Sequence, residues 1–143
     1  MQNISRYITE IKKRLKSAIE REASIATAYH FGSFGTPYFN TESDVDVGLL
    51  FFPTNPPDIR KVIEIQERLS TATGRGVDVV FLNQASSIIA MQILRHGQKL
   101  VERDAQITND FFVRTINLYF DLKSVRRPVE QNILSGKLYG VHT

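Results

Sequence analysis

Gly32-Ser33, then ten residues, then Asp44-Val45-Asp46, is the stretch of this chain richest in possible chemistry. Alternate side chains of a strand share a face, so both carboxylates point one way while Val45 and Val47 point the other. Asp is depleted in strands, and two like charges at that separation raise each other's pKa. A divalent cation relieves the repulsion. Carboxylate oxygens are the hard ligands that Mg²⁺ takes, one or two at a time, beside substrate phosphates. Alone, Asp-x-Asp more often marks a solvated strand start with two surface acids. Gly32-Ser33 closes the preceding apolar run. Such a turn lets backbone approach a phosphate, with the hydroxyl and nearby N–H groups as donors, though Gly-Ser is also a very common turn. A third acid, Asp78, lies in Gly76-Val77-Asp78-Val79-Val80-Phe81. If its strand lies beside the second one, three carboxylates could hold two metals about 3.5–4 Å apart; a surface position is the alternative.

Positioning these groups requires a sheet with helices packed on it. Ile4, Tyr7, Ile8, Ile11, Leu15, Ala18 and Ile19 recur at helical spacing and predict an amphipathic helix over 5–22. Residues 24–31 read as a strand, 34–43 as a turn-rich connection with Gly35, Pro37 and Asn40, and 44–52 as a second strand. Pro53-Thr54-Asn55-Pro56-Pro57 is a hard break, and Asp58 is placed to cap a helix carrying Ile59, Val62, Ile63 and Leu69. Gly74 and Gly76 end that segment. A third strand is expected over 77–82, a helix over 84–96 stopped by Gly97, and a short strand over 98–102. A long helix follows over about 105–127, where Pro128 would kink or stop it. Strands alternating with helices around one core predict an α/β (α+β) fold. The expectation is one domain, 1–143, closing in a helical segment from about 105.

The 143 residues, 42% of them apolar, suffice for one core, and the absence of cysteine excludes disulfides and thiolate metal sites. No apolar run approaches the roughly 18 residues of a membrane span, and the N-terminus has no apolar signal core behind it. A cytoplasmic location is expected. Net charge is +3, with basic residues clustered at Lys123, Arg126, Arg127 and Lys137. They read as a solvated helix face or as a surface steering an anionic ligand or acidic partner. No aromatic-basic interleaving argues for a nucleic-acid platform. His30, His96 and His142 lack metal-ligand spacing. His30 reads as a structural histidine and His96 as a helix-end residue. Tyr7, Tyr29, Tyr119 and the phenylalanines read as core or interface, and Glu42 as a solvent-facing loop acid.

Gly32-Ser33-x10-Asp44-Val45-Asp46, with Asp78 on a later strand, resembles the polymerase β-type nucleotidyltransferase superfamily. The chain's size resembles the minimal nucleotidyltransferases (MNT), the antitoxins of HEPN/MNT toxin–antitoxin pairs. The motif region spans Phe31 to Leu82, and the order of elements extends the resemblance over most of the chain. The resemblance implies a nucleotidyltransferase-like mixed β-sheet with helices packed mainly on one face. It implies that Gly32 and Ser33 hold the β- and γ-phosphates of ATP and that Asp44 and Asp46 bridge two Mg²⁺ ions. Asp78 would complete the ion nearer the attacking hydroxyl. Ser43 matches the frequent Ser-Asp-x-Asp form and joins the nucleotide-binding candidates, beside a local hydrogen bond to the chain. The implied reaction is in-line attack of a hydroxyl on the α-phosphorus, with pyrophosphate leaving and AMP transferred. The implied acceptor is a tyrosine of a cognate HEPN ribonuclease toxin, neutralised by the modification within a hetero-oligomer. Neither nucleic acid nor membrane is expected as a partner.

Thr36 and Pro37 depart from the resemblance, since many minimal members carry an Arg and a Gly soon after the Gly-Ser pair. The cationic contact to the triphosphate is then either missing or supplied by Arg75 or a C-terminal Lys or Arg. Two further readings use the same chain without AMP transfer to a toxin. A non-catalytic antitoxin would capture its toxin sterically, although three acids converging without metal would cost stability. A nucleotidyltransferase acting on a small molecule would need a binding surface for which no second domain is apparent. Phosphatases of the haloacid dehalogenase type also use Asp-x-Asp, but after an apolar strand run. Here the acids precede Gly48-Leu49-Leu50-Phe51-Phe52, which argues against that chemistry.

Overall fold

A computed structural model describes the backbone of residues 2–40 and 42–134 and the side chains of 4–40 and 42–122. The chain runs α1 (Gln2–Glu20), β1 (Ile25–Phe31), β2 (Val45–Phe51), α2 (Ile59–Thr73) and β3 (Val77–Phe81). It continues through a 3₁₀ turn (Leu82–Gln84) into α3 (Ser87–His96), β4 (Gln98–Glu102) and α4 (Ala105–Leu134). The sheet order is β3-β2-β1-β4. β1 is antiparallel to both β2 and β4, whereas β2 and β3 are parallel. A parallel pair needs a crossover, and α2 supplies it.

Strand alternation divides the core between the two faces. Val45, Val47, Leu49 and Phe51 point toward α1 and α2, where they meet Leu15, Ile19, Ile65 and Leu69 in the larger cluster. Each fully buried side chain of this kind contributes about 1.5–3 kcal/mol. Leu50 points the other way, into a smaller cluster with Tyr29, Leu82, Ala90, Ile93 and Phe111 beneath α3 and α4. Most of the core therefore lies under one helix pair, while the second pair covers part of the opposite face. Gly48 makes that cover possible: a Cβ there would stand 3.2 Å from Leu82 Cδ1 and 3.3 Å from Ile93 Cγ2. A buried hydroxyl pair, Thr27 and Thr108 at 2.6 Å, ties β1 to α4.

Local signals account for the element ends. Asp58 caps α2 by accepting from the Lys61 N–H at 2.9 Å, and Gly74, at φ 69°, closes it in the left-handed region. α3 begins later than the expected 84 because Ser86 takes the capping position, accepting from the Ile89 N–H at 3.2 Å. The residues before it form the 3₁₀ turn. There the Asn83 amide accepts from the Phe51 N–H at 2.8 Å and donates to the Phe51 carbonyl at 3.0 Å, as a neighbouring strand would. α4 does not stop at Pro128 but runs on to Leu134. The ring removes one N–H from the ladder, and the helix carries on beyond that gap. The side chains of Lys123, Arg126 and Arg127, and Lys137 and His142 altogether, lie outside the described residues.

Candidate active site

Asp46 pairs with Phe31 of β1 on one side and with Asp78 of β3 on the other. Asp44 stands two residues before it on the same face. This is the face on which α3 covers Gly48 and Leu50 farther along β2. Asp44 and Asp78 are exposed and Asp46 is half-buried. Burial pushes the Asp46 pKa up, and the charges of Asp78 and Asp44 push it further in the same direction. Asp46 thus feels both other carboxylates, one two residues before it and one opposite it on the neighbouring strand.

Two glycines make room for the acids. Gly32 turns at φ +71°, and a Cβ there would fall 2.3 Å from Asp46 Oδ2. A Cβ on Gly76 would fall 2.4 Å from Asp44 Oδ1. Each acid of the pair therefore rests against bare glycine backbone. The Val45 N–H also donates to the Gly76 carbonyl at 2.9 Å, which draws the starts of β2 and β3 together.

The connection from 32 to 43 is anchored by aromatic side chains. Phe34 and Phe39 are buried in the larger core cluster, edge to face at 5.1 Å, and Phe34 meets the His30 ring in the same way at 5.1 Å. Thr36 closes the turn after Gly32. Its hydroxyl donates to the Ser33 carbonyl at 2.5 Å and its N–H donates to the same oxygen at 2.9 Å. Ser43 braces the far end, its hydroxyl accepting from the Asn40 N–H at 3.2 Å. The Arg75 guanidinium lies over the rings of Phe39 and Tyr7 and donates to Tyr7 Oη at 2.8 Å, to the Asn40 carbonyl at 3.1 Å and to the Ser43 carbonyl. His30 is buried on the α1 side of β1, away from the carboxylates. Burial and the nearby Lys12 push its pKa down, while the Gln98 side chain pulls weakly the other way.

Residues 13–106 match the family model described as "Polymerase beta, Nucleotidyltransferase". The chain belongs to this family. It is 27% identical over 116 residues to the protein adenylyltransferase MntA of Shewanella oneidensis, which is 80% of each protein. A crystal structure of a toxin–antitoxin with AMP-PNP superimposes with a TM-score of 0.72 at 22% identity, covering 86% of this chain and 98% of that one. A structure of tri-AMPylated Shewanella oneidensis HEPN toxin in complex with MNT antitoxin gives a TM-score of 0.64 at 26% identity. That match covers 94% of this chain and 99% of the other. The expected nucleotidyltransferase fold, with its mixed sheet, is the fold observed.

In this nucleotidyltransferase, Asp44, Asp46, Asp78 and Gly32 come together at one end of the sheet, with Ser33 next along the turn. Ser43 stands at the entrance to β2, with its hydroxyl engaged in the local turn. Arg75, considered from sequence as a triphosphate contact, instead has its guanidinium committed to the loop and α1. Gly76, which in the sequence marks the end of a helical segment, is what makes room for Asp44. The signal that could have found it is the Gly-x-Asp alternation, which sets Gly76 beside Asp44 when Asp78 lies beside Asp46. Among the described residues no three His, Asp or Glu side chains, Asp44, Asp46 and Asp78 included, stand arranged as they lie to hold a metal ion. The all-oxygen donors at an open end of the sheet, and the raised Asp46 pKa, fit Mg²⁺ that draws its remaining ligands from phosphate and water. A groove of about 610 Å³ between α1 and α2, lined by Arg21, Glu22, Glu64 and Arg68, contains none of these acids. Among the described residues no helix is long and apolar enough to cross a membrane.

Proposed function

We propose that this nucleotidyltransferase transfers AMP from ATP to a hydroxyl of a HEPN-type toxin partner and thereby neutralises it, using Mg²⁺ held by Asp44, Asp46 and Asp78. The observation that carries this reading is the pairing of Asp46 with Asp78 across β2 and β3, with Gly32 closed against Asp46. The adenylyltransferase name of the Shewanella relative and the AMPylated toxin bound by an MNT antitoxin support the choice of group and acceptor.

Mg²⁺, when bound, supplies positive charge to the triphosphate and to the attacking oxygen. Asp44, Asp46 and Asp78 are the residues that would hold it. The Ser33 hydroxyl and the N–H groups of the Gly32 turn donate to the β- and γ-phosphates. The acceptor oxygen bonds to the α-phosphorus as the bond to the bridging oxygen breaks, and pyrophosphate leaves with that electron pair. The exposed Asp78 carboxylate stands ready to take the acceptor's proton. No protein nucleophile is required, and positioning carries much of the rate. With Arg75 committed elsewhere, the C-terminal basic residues Lys123, Arg126, Arg127 and Lys137 are the candidates for a cationic contact to the triphosphate.

The test is incubation of the chain with α-labelled ATP, Mg²⁺ and the product of the neighbouring gene. Label should pass to that partner and fail to do so in Asp44→Asn/Asp46→Asn. If no label transfers and the double variant suppresses toxicity as well as the native chain does, steric capture replaces catalysis.

A further inference from the structure

We propose that Arg75 is a positioning residue for the metal-holding acids, fixing the direction of Asp44 by tying the segment that enters β2 to α1. This rests on the metal-site reading above. Asp44 lies between two peptide units, and both are fastened to consecutive residues of the α2–β3 connection. The carbonyl of the peptide before it, Ser43 C=O, accepts from the Arg75 guanidinium. The N–H of the peptide after it, on Val45, donates to the Gly76 carbonyl at 2.9 Å. With both peptide planes held, the direction of the Asp44 Cα–Cβ bond is set, and the side chain starts from one fixed place. Gly76 then leaves the space that Asp44 Oδ1 occupies.

The other end of the clamp is α1. Tyr7 accepts from the same guanidinium at 2.8 Å through its hydroxyl and offers its ring at 5.6 Å from the guanidinium carbon, while the Phe39 ring lies at 4.8 Å. A further bond at 3.1 Å reaches the Asn40 carbonyl. Gly74, at φ 69°, turns the chain out of α2 so that Arg75 can reach these partners. One side chain thus joins α1, the loop after Gly32 and the start of β2. Arginine suits the task because a planar fork can stack on rings and serve several acceptors at once. A lysine keeps the charge and loses the fork.

The experiment compares Arg75→Lys and Tyr7→Phe with the native full-length chain. Mn²⁺ binding to the nucleotide-free protein is measured by electron paramagnetic resonance, alongside transfer kinetics with Mg²⁺ and ATP varied separately. Arg75→Lys should weaken Mn²⁺ binding and lower kcat, each by about 10–100-fold, the range seen when a ligand's supporting partner is lost. The ATP KM should stay within about twofold. Tyr7→Phe deletes one bond of the clamp and should move both quantities in the same direction by less, and it decides the matter if Arg75→Lys fails to fold. Native Mn²⁺ affinity and kcat in the variants would overturn the proposal. A raised ATP KM with unchanged kcat would also overturn it, placing Arg75 on the triphosphate. If the native chain itself neither binds Mn²⁺ nor transfers label, the metal-site reading fails and takes this inference with it.

Discussion

Replacing Gly32 with alanine separates strain in the backbone from damage to the carboxylates, because Gly74 offers a matched control. The two glycines turn at φ +71° and +69°. An L-residue in that left-handed region costs about 1–2 kcal/mol at either position, a fall in Tm of about 3–7 °C for a chain of this length. The surroundings differ: nothing lies within 4 Å of a Cβ at Gly74, whereas one at Gly32 meets Asp46 Oδ2 at 2.3 Å. The Asp46 carboxylate must therefore move by roughly 1 Å to regain van der Waals distance. A misplacement of that size costs about 10²-fold in rate, or about 2.7 kcal/mol of barrier. Gly32→Ala and Gly74→Ala should thus melt at similar temperatures while differing about 10²-fold in initial rate of label transfer at saturating ATP and Mg²⁺. Gly74→Ala should stay within about twofold of the native rate. Native turnover in Gly32→Ala, or an equal loss in both variants, would refute the cradle argument.

Gly76→Ala, which places a Cβ 2.4 Å from Asp44 Oδ1 without a positive φ, should lower transfer and Mn²⁺ affinity with little loss of stability. Calorimetry and label transfer check the two halves separately. The raised pKa of Asp46 gives a pH signature in the metal-free chain. Its contribution to stability is fully present below the ordinary value of 3.8 and is lost as pH rises through the raised value. Asp46→Asn should therefore melt higher than the native chain at neutral pH, by a margin that shrinks toward pH 4 and on adding Mg²⁺; melting curves across that range show it. Thr108→Val should destabilise the chain by about 1–3 kcal/mol by orphaning the buried Thr27 hydroxyl. The double variant Thr27→Val/Thr108→Val should recover much of the loss in urea titrations. Ser33→Ala should weaken ATP binding less than tenfold in equilibrium dialysis, since one donor among several is removed.

Period-two alternation was enough to put Asp44 and Asp46 on one face, because that rule is local and β2 obeys it. Helix starts at Asp58 and Ser86 are legible for the same reason, being side chain to backbone bonds across three residues. What the residues did not disclose is held by distant partners. Arg75 reaches Tyr7, 68 positions away, and no local pattern marks a guanidinium for that bond. Phe34 and Phe39 looked like residues of a turn-rich connection, yet both rings are buried and hold the loop to the core. Thr36 looked like a missing cation and proves to be a turn closure. Pro128 signals a kink or an end by propensity, and α4 runs past it.

β2 is flanked on both edges, by β1 and by β3, and its residues beyond Asp46 are buried from Val47 to Phe51. Amides in such a strand open only when the whole domain opens. Asp46 therefore stands on one of the last parts of the molecule to loosen, and a bound nucleotide would meet a strand already shaped before it arrives. Ordering entropy need not be drawn from nucleotide binding at this strand. Heating should remove activity in step with global unfolding, without an earlier phase in which the fold survives and its acidic strand has frayed.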